Sequence, residues 1–286
     1  MSHAIYEAVT NRIIAQLEKG AIPWIKPWNV DSSADKNFIS QKPYSGINTL
    51  ITGMAGFNSP AWASYKQWQE KGVQVNKGEK STEIVFFKKV TKESTNATNG
   101  ENESSTFSVL KTYHVFNAEQ TDIKILPNIT PEIEFNPIPA IKAKIEQTGA
   151  IINHGGNAAF YSPAKDFIQL PNPSAFHSPE HYYATAFHEL THWTSAKHRL
   201  DRVLGAKYGN PEYAFEELVA EIGAAFLCAE YKIEGDLRHE GYIQNWLKAC
   251  RSDSKAIFKA AALAQKAADF IKNEGNKVIT NELLAA

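Results

Sequence analysis

Two segments, at 188–192 and 213–227, restrict the fold more than anything else in this 286-residue chain. The first reads HELTH within strongly helical sequence. The second, YAFEELVAEIGAAFL, is apolar enough to be buried yet carries Glu216, Glu217 and Glu221 within two turns. Burying three carboxylates is costly unless a cation or hydrogen-bond donors meet them. Residues four apart on an α-helix project from one face, so His188 and His192 can both aim an imidazole nitrogen at one cation. Glu189 lies about 100° further round that helix, where it can reach a water on the cation without ligating it, a general-base position. A hydrolytic site of this kind needs a third protein ligand and an open coordination position, and the acidic helix is the segment able to supply the ligand.

Glu217 and Glu221 are four residues apart. In zinc proteases whose second helix reads ExxxD or ExxxE, the first acid binds the metal and the second supports a ligand histidine. That pattern makes Glu217 the expected third ligand, with Glu221 behind a histidine and Glu216 left as a helix-surface or helix N-terminal charge. His154, His177, His181, His198 and His239 have no ligand partner in sequence, so surface or structural roles are expected; His198 and Tyr161 are also candidates for stabilising an oxyanion. The implied chemistry is metal-assisted hydrolysis, by default of a peptide bond, with Zn²⁺ as the expected ion and other divalent metals compatible with the same donors.

Around this centre the chain reads as α+β. Residues 4–19 place Ile5, Val9, Ile13 and Leu17 on one helical face, a second helix is expected over 47–53, and a third from Pro60 to Glu70 with Ser59 as its cap. Ser81–Val90 and Thr106–Phe116 are rich in β-branched and aromatic residues and predict two strands. Between them, 93–105 holds no apolar residue larger than alanine and predicts a mobile hairpin tip. Four prolines in 126–139 mark a boundary. Beyond it a short helix, a small meander of strands over 150–170 and four further helices are expected. The domain reading is therefore 1–126, a linker at 127–139, and 140–286. The first is a mixed α/β domain; the second is mainly helical with a small sheet.

Composition excludes several classes. A net charge of −1 is neither that of a polyanion mimic nor that of a uniformly basic nucleic-acid coat. Cys228 and Cys250 lack the spacing of a zinc knuckle or a disulfide scaffold, which fits a reducing compartment. No signal peptide or membrane span is apparent, so a soluble, cytoplasmic protein is expected. The net charge conceals an asymmetry, because residues 1–92 hold an excess of about five basic side chains that the remainder of the chain offsets. That basic part is also aromatic. Trp24, Trp28, Tyr44, Trp62, Tyr65 and Trp68 lie among Lys26, Lys42, Lys66, Lys77 and Lys80. Single-stranded nucleic acid is bound by such a combination, rings stacking on bases and lysines neutralising phosphates. For any single tryptophan, burial in the core of a small domain is the stronger reading, and Trp24 and Trp28, in a lysine-flanked loop, are the best candidates for exposure.

The runs WIKPW, KPYSGIN, SPAWASYKQWQEKGVQVNKGEKST and VFNAEQT, followed by FYSPAKDFIQLP, YATAFHELTHWT and YAFEELVAEIGAAFL, resemble antirestriction proteins of the ArdC type over nearly the whole chain. The resemblance implies an N-terminal domain that binds single-stranded DNA and a C-terminal zincin-like metallopeptidase domain. Proteins of this kind are carried by conjugative plasmids and protect incoming DNA from restriction in a bacterial host. The N-terminal part is also similar to the corresponding region of plasmid TraC-type primases, without a primase catalytic domain. Partners implied are single-stranded DNA and, as substrate, a restriction enzyme. A DNA-dependent zinc protease acting on DNA-bound proteins is the alternative that uses the same residues.

Overall fold

The all-round apolar pattern of 213–227 is explained by its position in the computed structural model, which describes residues 2–19, 35–57, 59–95, 102–123, 137–204, 211–233 and 243–285. In chain order the elements of the N-terminal half are α1 (Ser2–Leu17), β1 (Lys36–Asn37), α2 (Ile47–Met54), β2 (Ala61–Ala63), α3 (Tyr65–Glu70), β3 (Thr82–Thr95) and β4 (Asn102–Asn117). The C-terminal half contributes α4 (Pro137–Gln147), β5 (Ile151–His154), β6 (Phe160–Ser162), β7 (Phe167–Leu170), α5 (Pro179–Trp193), α6 (Pro211–Glu230), α7 (Ile243–Ser252) and α8 (Ala256–Ala285). Among the described residues no helix is long and apolar enough to cross a membrane.

Helix α6 is shared by two hydrophobic cores. Leu218, Val219 and Ile222 pack with Val9, Ile13 and Leu17 of α1, with α2, and with Trp62, Ile84 and Val115 of the first sheet. Ala224, Leu227 and Cys228 pack instead with Phe187 and Leu190 of α5 and with Ile168 and Leu170 of β7. A helix covered on every side has to be apolar all round, which leaves its carboxylates without water. The proline-rich stretch therefore separates two halves in sequence whose cores meet on α6 and α8. Burial of each large aliphatic side chain contributes about 1.5–3 kcal/mol relative to exposure.

The first sheet has the order β1-β2-β4-β3, with β1 parallel to β2 and the other pairs antiparallel. Asn48 of α2 closes the β3 edge: its Nδ2 donates to the Val85 carbonyl (2.7 Å) and its Oδ1 accepts from the Val85 N–H (2.9 Å). Two readings of the sequence need correction here. The segment 60–63 is not the start of a helix. Trp62 and Ala63 pair with Asn117 and Phe116, and α3 begins at Tyr65 behind a capping box formed by Ser64 and Gln67. The strand pair also runs into both ends of the expected tip at 93–105, with backbone pairing continuing to Thr95↔Asn102, because a ladder needs no apolar side chains; residues 96–101 of the tip lie outside the described residues.

The second sheet has the order β5-β7-β6 and is not a simple meander. β5 runs parallel to β7, and β6 pairs antiparallel with β7 on its other side. Leu170 and Ile168 bury one face of it against α5 and thereby fix that helix from below.

Candidate metal centre and nucleic-acid surface

Helix α5 starts at a well-defined point. Ser178 accepts from the His181 N–H and Pro179 occupies the first turn, so the register of the helix is set before the motif arrives. Phe187, Leu190 and Trp193 turn into the second core, leaving His188 and His192 on the face opposite α6. The two helices come unusually close where Thr191 meets Gly223. A Cβ on Gly223 would lie 2.7 Å from Thr191 Cγ2 and 2.8 Å from its Oγ1. Thr191 cannot retreat, being fully buried with its hydroxyl donating to the Phe187 carbonyl (2.8 Å). This close approach brings the carboxylates of α6 to the histidines.

Nε2 of His188 lies 3.4 Å from Glu217 Oε2, and Nε2 of His192 lies 3.5 Å from Glu217 Oε1. Ligand atoms of His188, His192 and Glu217 all fall within 4.8 Å of one another, so these three residues could hold a single metal ion. Behind them each Nδ1 faces a carboxylate at 3.4 Å, Glu221 for His188 and Glu216 for His192. A donor set of two imidazoles and one carboxylate, with the far nitrogen of each imidazole oriented by an acid, suits a divalent metal with an open position. Glu189 is buried beside them and its charge acts on both histidines.

Burial alone would depress both imidazoles, but the surrounding acids outweigh it. Glu221 and Glu217 raise His188, and Glu216 and Glu217 push His192 up to about 10. Against their own burial, the histidines hold Glu217 far below the usual carboxylate range, and His192 with Arg202 holds Glu216 below it.

The structure thus brings His188, Glu189, His192, Glu217 and Glu221 together. It corrects the placing of Glu216: that side chain is buried, bonded to His192 and to Arg202, and is no surface charge. Arg202 gave no sequence signal, since it follows the motif by ten residues in irregular chain. The two oxyanion candidates are otherwise engaged. Tyr161 donates to Asp166 (2.9 Å), and its hydroxyl is pushed up to about 12 by burial and by that acid. His198 lies 2.7 Å from Arg199 Nη1, and Arg199 binds Asp166 and covers the Trp193 ring.

The aromatic residues of the N-terminal half divide sharply. Trp62 and Trp68 are 0% exposed and cannot stack on bases, which corrects their assignment to a nucleic-acid surface. Trp62 is held in β2 within the first core, and Trp68 packs on Phe38 while its indole N–H donates to the Phe116 carbonyl (3.1 Å). Tyr44 is half-buried, and burial with the Asp35 charge pushes its hydroxyl up to about 12. Tyr65, Lys66, Lys77 and Lys80 are exposed; Trp24, Lys26, Trp28 and His239 lie outside the described residues. Exposed rings stand elsewhere. Phe86, Phe87 and Tyr113 on the β3–β4 ribbon are 46%, 56% and 49% exposed, Phe86 lies edge-on to Tyr113 at 5.3 Å, and the exposed Lys111 pairs across from Phe86. Adjacent phenylalanines in a strand point to opposite faces, so the pair at 86–87 could not both be core on a two-stranded ribbon, a signal present in the sequence.

Residues 3–116 match the family model described as the N-terminal domain of anti-restriction factor ArdC, and residues 139–263 match the model of a zincin-like metallopeptidase. The protein y4eC of Sinorhizobium fredii is 36% identical over 294 residues, a stretch covering 99% of this chain and 96% of that protein. The DNA primase TraC of Escherichia coli is 38% identical over 284 residues, covering 93% of this chain, which spans only 27% of the primase. Among solved structures, the metal-free crystal structure of antirestriction ArdC from plasmid R388 superposes with a TM-score of 0.78 at 37% identity, covering 95% of this chain and 98% of that one. Its Mn(II)-bound form gives 0.76 at 36% identity, with coverages of 94% and 97%. With the correspondence running the length of both chains and the two halves in the same order, this chain belongs to the ArdC family of antirestriction proteins.

Proposed function

We propose that the protein binds single-stranded DNA through its N-terminal half and protects DNA entering a bacterial cytoplasm from restriction, while its C-terminal half carries a zinc peptidase centre. The observation that supports this most is the end-to-end likeness to an antirestriction protein with neither half missing. The basic excess of residues 1–92 and the exposed rings of Phe86, Phe87, Tyr113 and Tyr65 supply the two ingredients of a single-strand surface, charge for phosphates and flat faces for bases. Trp24 and Trp28, flanking Lys26, belong to the same proposal.

At the centre, His188, His192 and Glu217 are the proposed ligands, and Zn²⁺ the ion that two imidazoles and a carboxylate favour. When bound, the ion supplies Lewis acidity toward a peptide carbonyl and makes a water easier to deprotonate. Glu189 takes the proton from the attacking water and returns it to the leaving amine. Glu216 accepts from His192 Nδ1 and the Glu221 carboxylate faces His188 Nδ1, holding each Nε2 lone pair toward the ion. Glu189 is a buried acid outside both the proposed ligand set and the pair that faces the Nδ1 atoms, which favours hydrolysis, of a restriction enzyme or of proteins held on DNA.

The test is binding of the full-length protein to labelled single- and double-stranded DNA across a salt series. Tight, salt-sensitive preference for single strands is expected. Phe86→Ala with Tyr113→Ala, or Trp24→Ala, should weaken it by about 1–3 kcal/mol per stacked base lost, and Glu189→Gln should not. Absence of any single-strand preference would remove the DNA half of the proposal. Degradation of DNA-bound protein only when single strands are present, lost in Glu189→Gln, would favour a DNA-dependent protease over simple coating.

A further inference from the structure

Arg202 belongs to neither helix of the metal centre, yet its guanidinium is built into it. The side chain is 4% exposed, as is that of Glu216. Nη2 donates to Glu216 Oε1 (2.7 Å) and Nε to Glu216 Oε2 (3.1 Å), a two-point grip on one carboxylate. Nη2 also donates to the Thr191 carbonyl (2.6 Å), and Nη1 to Thr194 Oγ1 (2.8 Å). The backbone N–H of Arg202 donates to the Ser195 carbonyl (2.9 Å), fixing the return of the chain just after Asp201, whose φ of 47° is unusual for a residue other than glycine.

These contacts define a chain of command. Glu216 comes from α6, whereas Thr191 and Thr194 lie beside His192 at the C-terminal end of α5. Arg202 therefore locates an α6 carboxylate relative to the helix that carries the ligand histidine. A planar fork is the side chain suited to this, because it fixes the plane of the carboxylate as well as its distance. Glu216 Oε1 in turn faces His192 Nδ1 at 3.4 Å.

We propose that Arg202 is a positioning residue of the metal centre: by clamping Glu216 to the end of α5 it holds the His192 ring so that Nε2 faces the ion. This rests on the reading of His188, His192 and Glu217 as metal ligands. It makes metal affinity depend on a residue that approaches no ligand atom directly and sits outside the HExxH motif.

The experiment is Zn²⁺ affinity of the full chain by competition with a chromophoric chelator, together with the visible spectrum of the Co²⁺-substituted protein. Arg202→Met should weaken binding by about 10–100-fold and shift the Co²⁺ bands. Arg202→Lys should lose less, because it keeps the charge and one donor but not the fork. Glu216→Gln should lose a comparable amount, and the double variant Arg202→Met/Glu216→Gln should bind no more weakly than the worse single variant, since both changes break one link. Arg202→Lys and Glu216→Gln preserve the size of the cluster, so the comparison survives if the methionine variant does not fold. Unchanged affinity in the Arg202 variants, or losses that multiply in the double variant, would overturn the assignment while leaving the centre intact. A wild-type chain that takes up no metal would overturn the centre itself.

Discussion

Gly223→Ala is expected to dismantle the metal centre without touching any of its polar residues. The added methyl would meet Thr191 at 2.7 Å, and both partners lie in fully packed helix. Overpacking of this kind costs about 1–3 kcal/mol even where neighbours can shift. Here relief requires α6 to move away from α5, which carries Glu216, Glu217 and Glu221 away from His188 and His192. The stability of the metal-free variant and its metal uptake should therefore both fall, the second more than the first. Thr191→Ala in the same chain removes the two clashing atoms and should restore uptake. Recovery in the double variant identifies the clash as the cause; a Gly223→Ala protein that binds metal normally would show that helix spacing does not govern the site.

The pairing of histidines with acids gives the protein opposite pH responses with and without metal. In the metal-free centre His192 is raised from 6.5 to about 10 and Glu217 is lowered from 4.5. The raised histidine contributes stability that is fully present below its unfolded value and is lost as pH rises through its folded one. The lowered glutamate contributes stability present above its unfolded value and lost as pH falls through its folded one. The metal-free fold is thus expected to be most stable between 4.5 and 6.5, the unfolded values of the two groups. Metal must displace the histidine proton, so affinity should climb about tenfold per pH unit for each proton released. The metal-induced rise in Tm should therefore grow steadily from acid to neutral pH. A rise independent of pH would mean that the histidines are not the groups displaced.

Much of this centre was legible because metal chemistry imposes spacings on a helix. HELTH, and two acids four apart on an apolar segment, sufficed to pair α5 with α6 and to place Glu217 and Glu221 beside the histidines. Glu216 was misplaced for a geometric reason. Two histidines one turn apart present their Nδ1 atoms at different heights along α6, so two separate acids face them, and one of these is adjacent in sequence to the proposed ligand Glu217. Arg202 was illegible because a loop residue is brought to its partner only by tertiary folding.

The N-terminal half shows the other limit. Ser59-Pro60 and Ser64-x-x-Gln67 are both good helix starts, and local sequence cannot rank them. Pairing of Trp62 with Asn117 decided for the second. Once 61–63 is strand, Trp62 and Trp68 fall into separate cores and neither ring is left for a base to stack on. Alternation read along 150–170 gave a meander of strands but not their order, because the parallel pairing of β5 with β7 leaves no mark on either strand alone.

The measurement closest to the centre of this account is metal stoichiometry of the full chain as wild type, Glu217→Gln, Glu221→Gln and Glu189→Gln, titrated with Zn²⁺ at neutral pH. One equivalent is expected in the wild type and in Glu189→Gln, weakened binding in Glu221→Gln, and no stoichiometric uptake in Glu217→Gln. Full uptake by Glu217→Gln with loss in Glu221→Gln or Glu189→Gln would contradict the ligand assignment and, with it, the division of labour among the acids of the site.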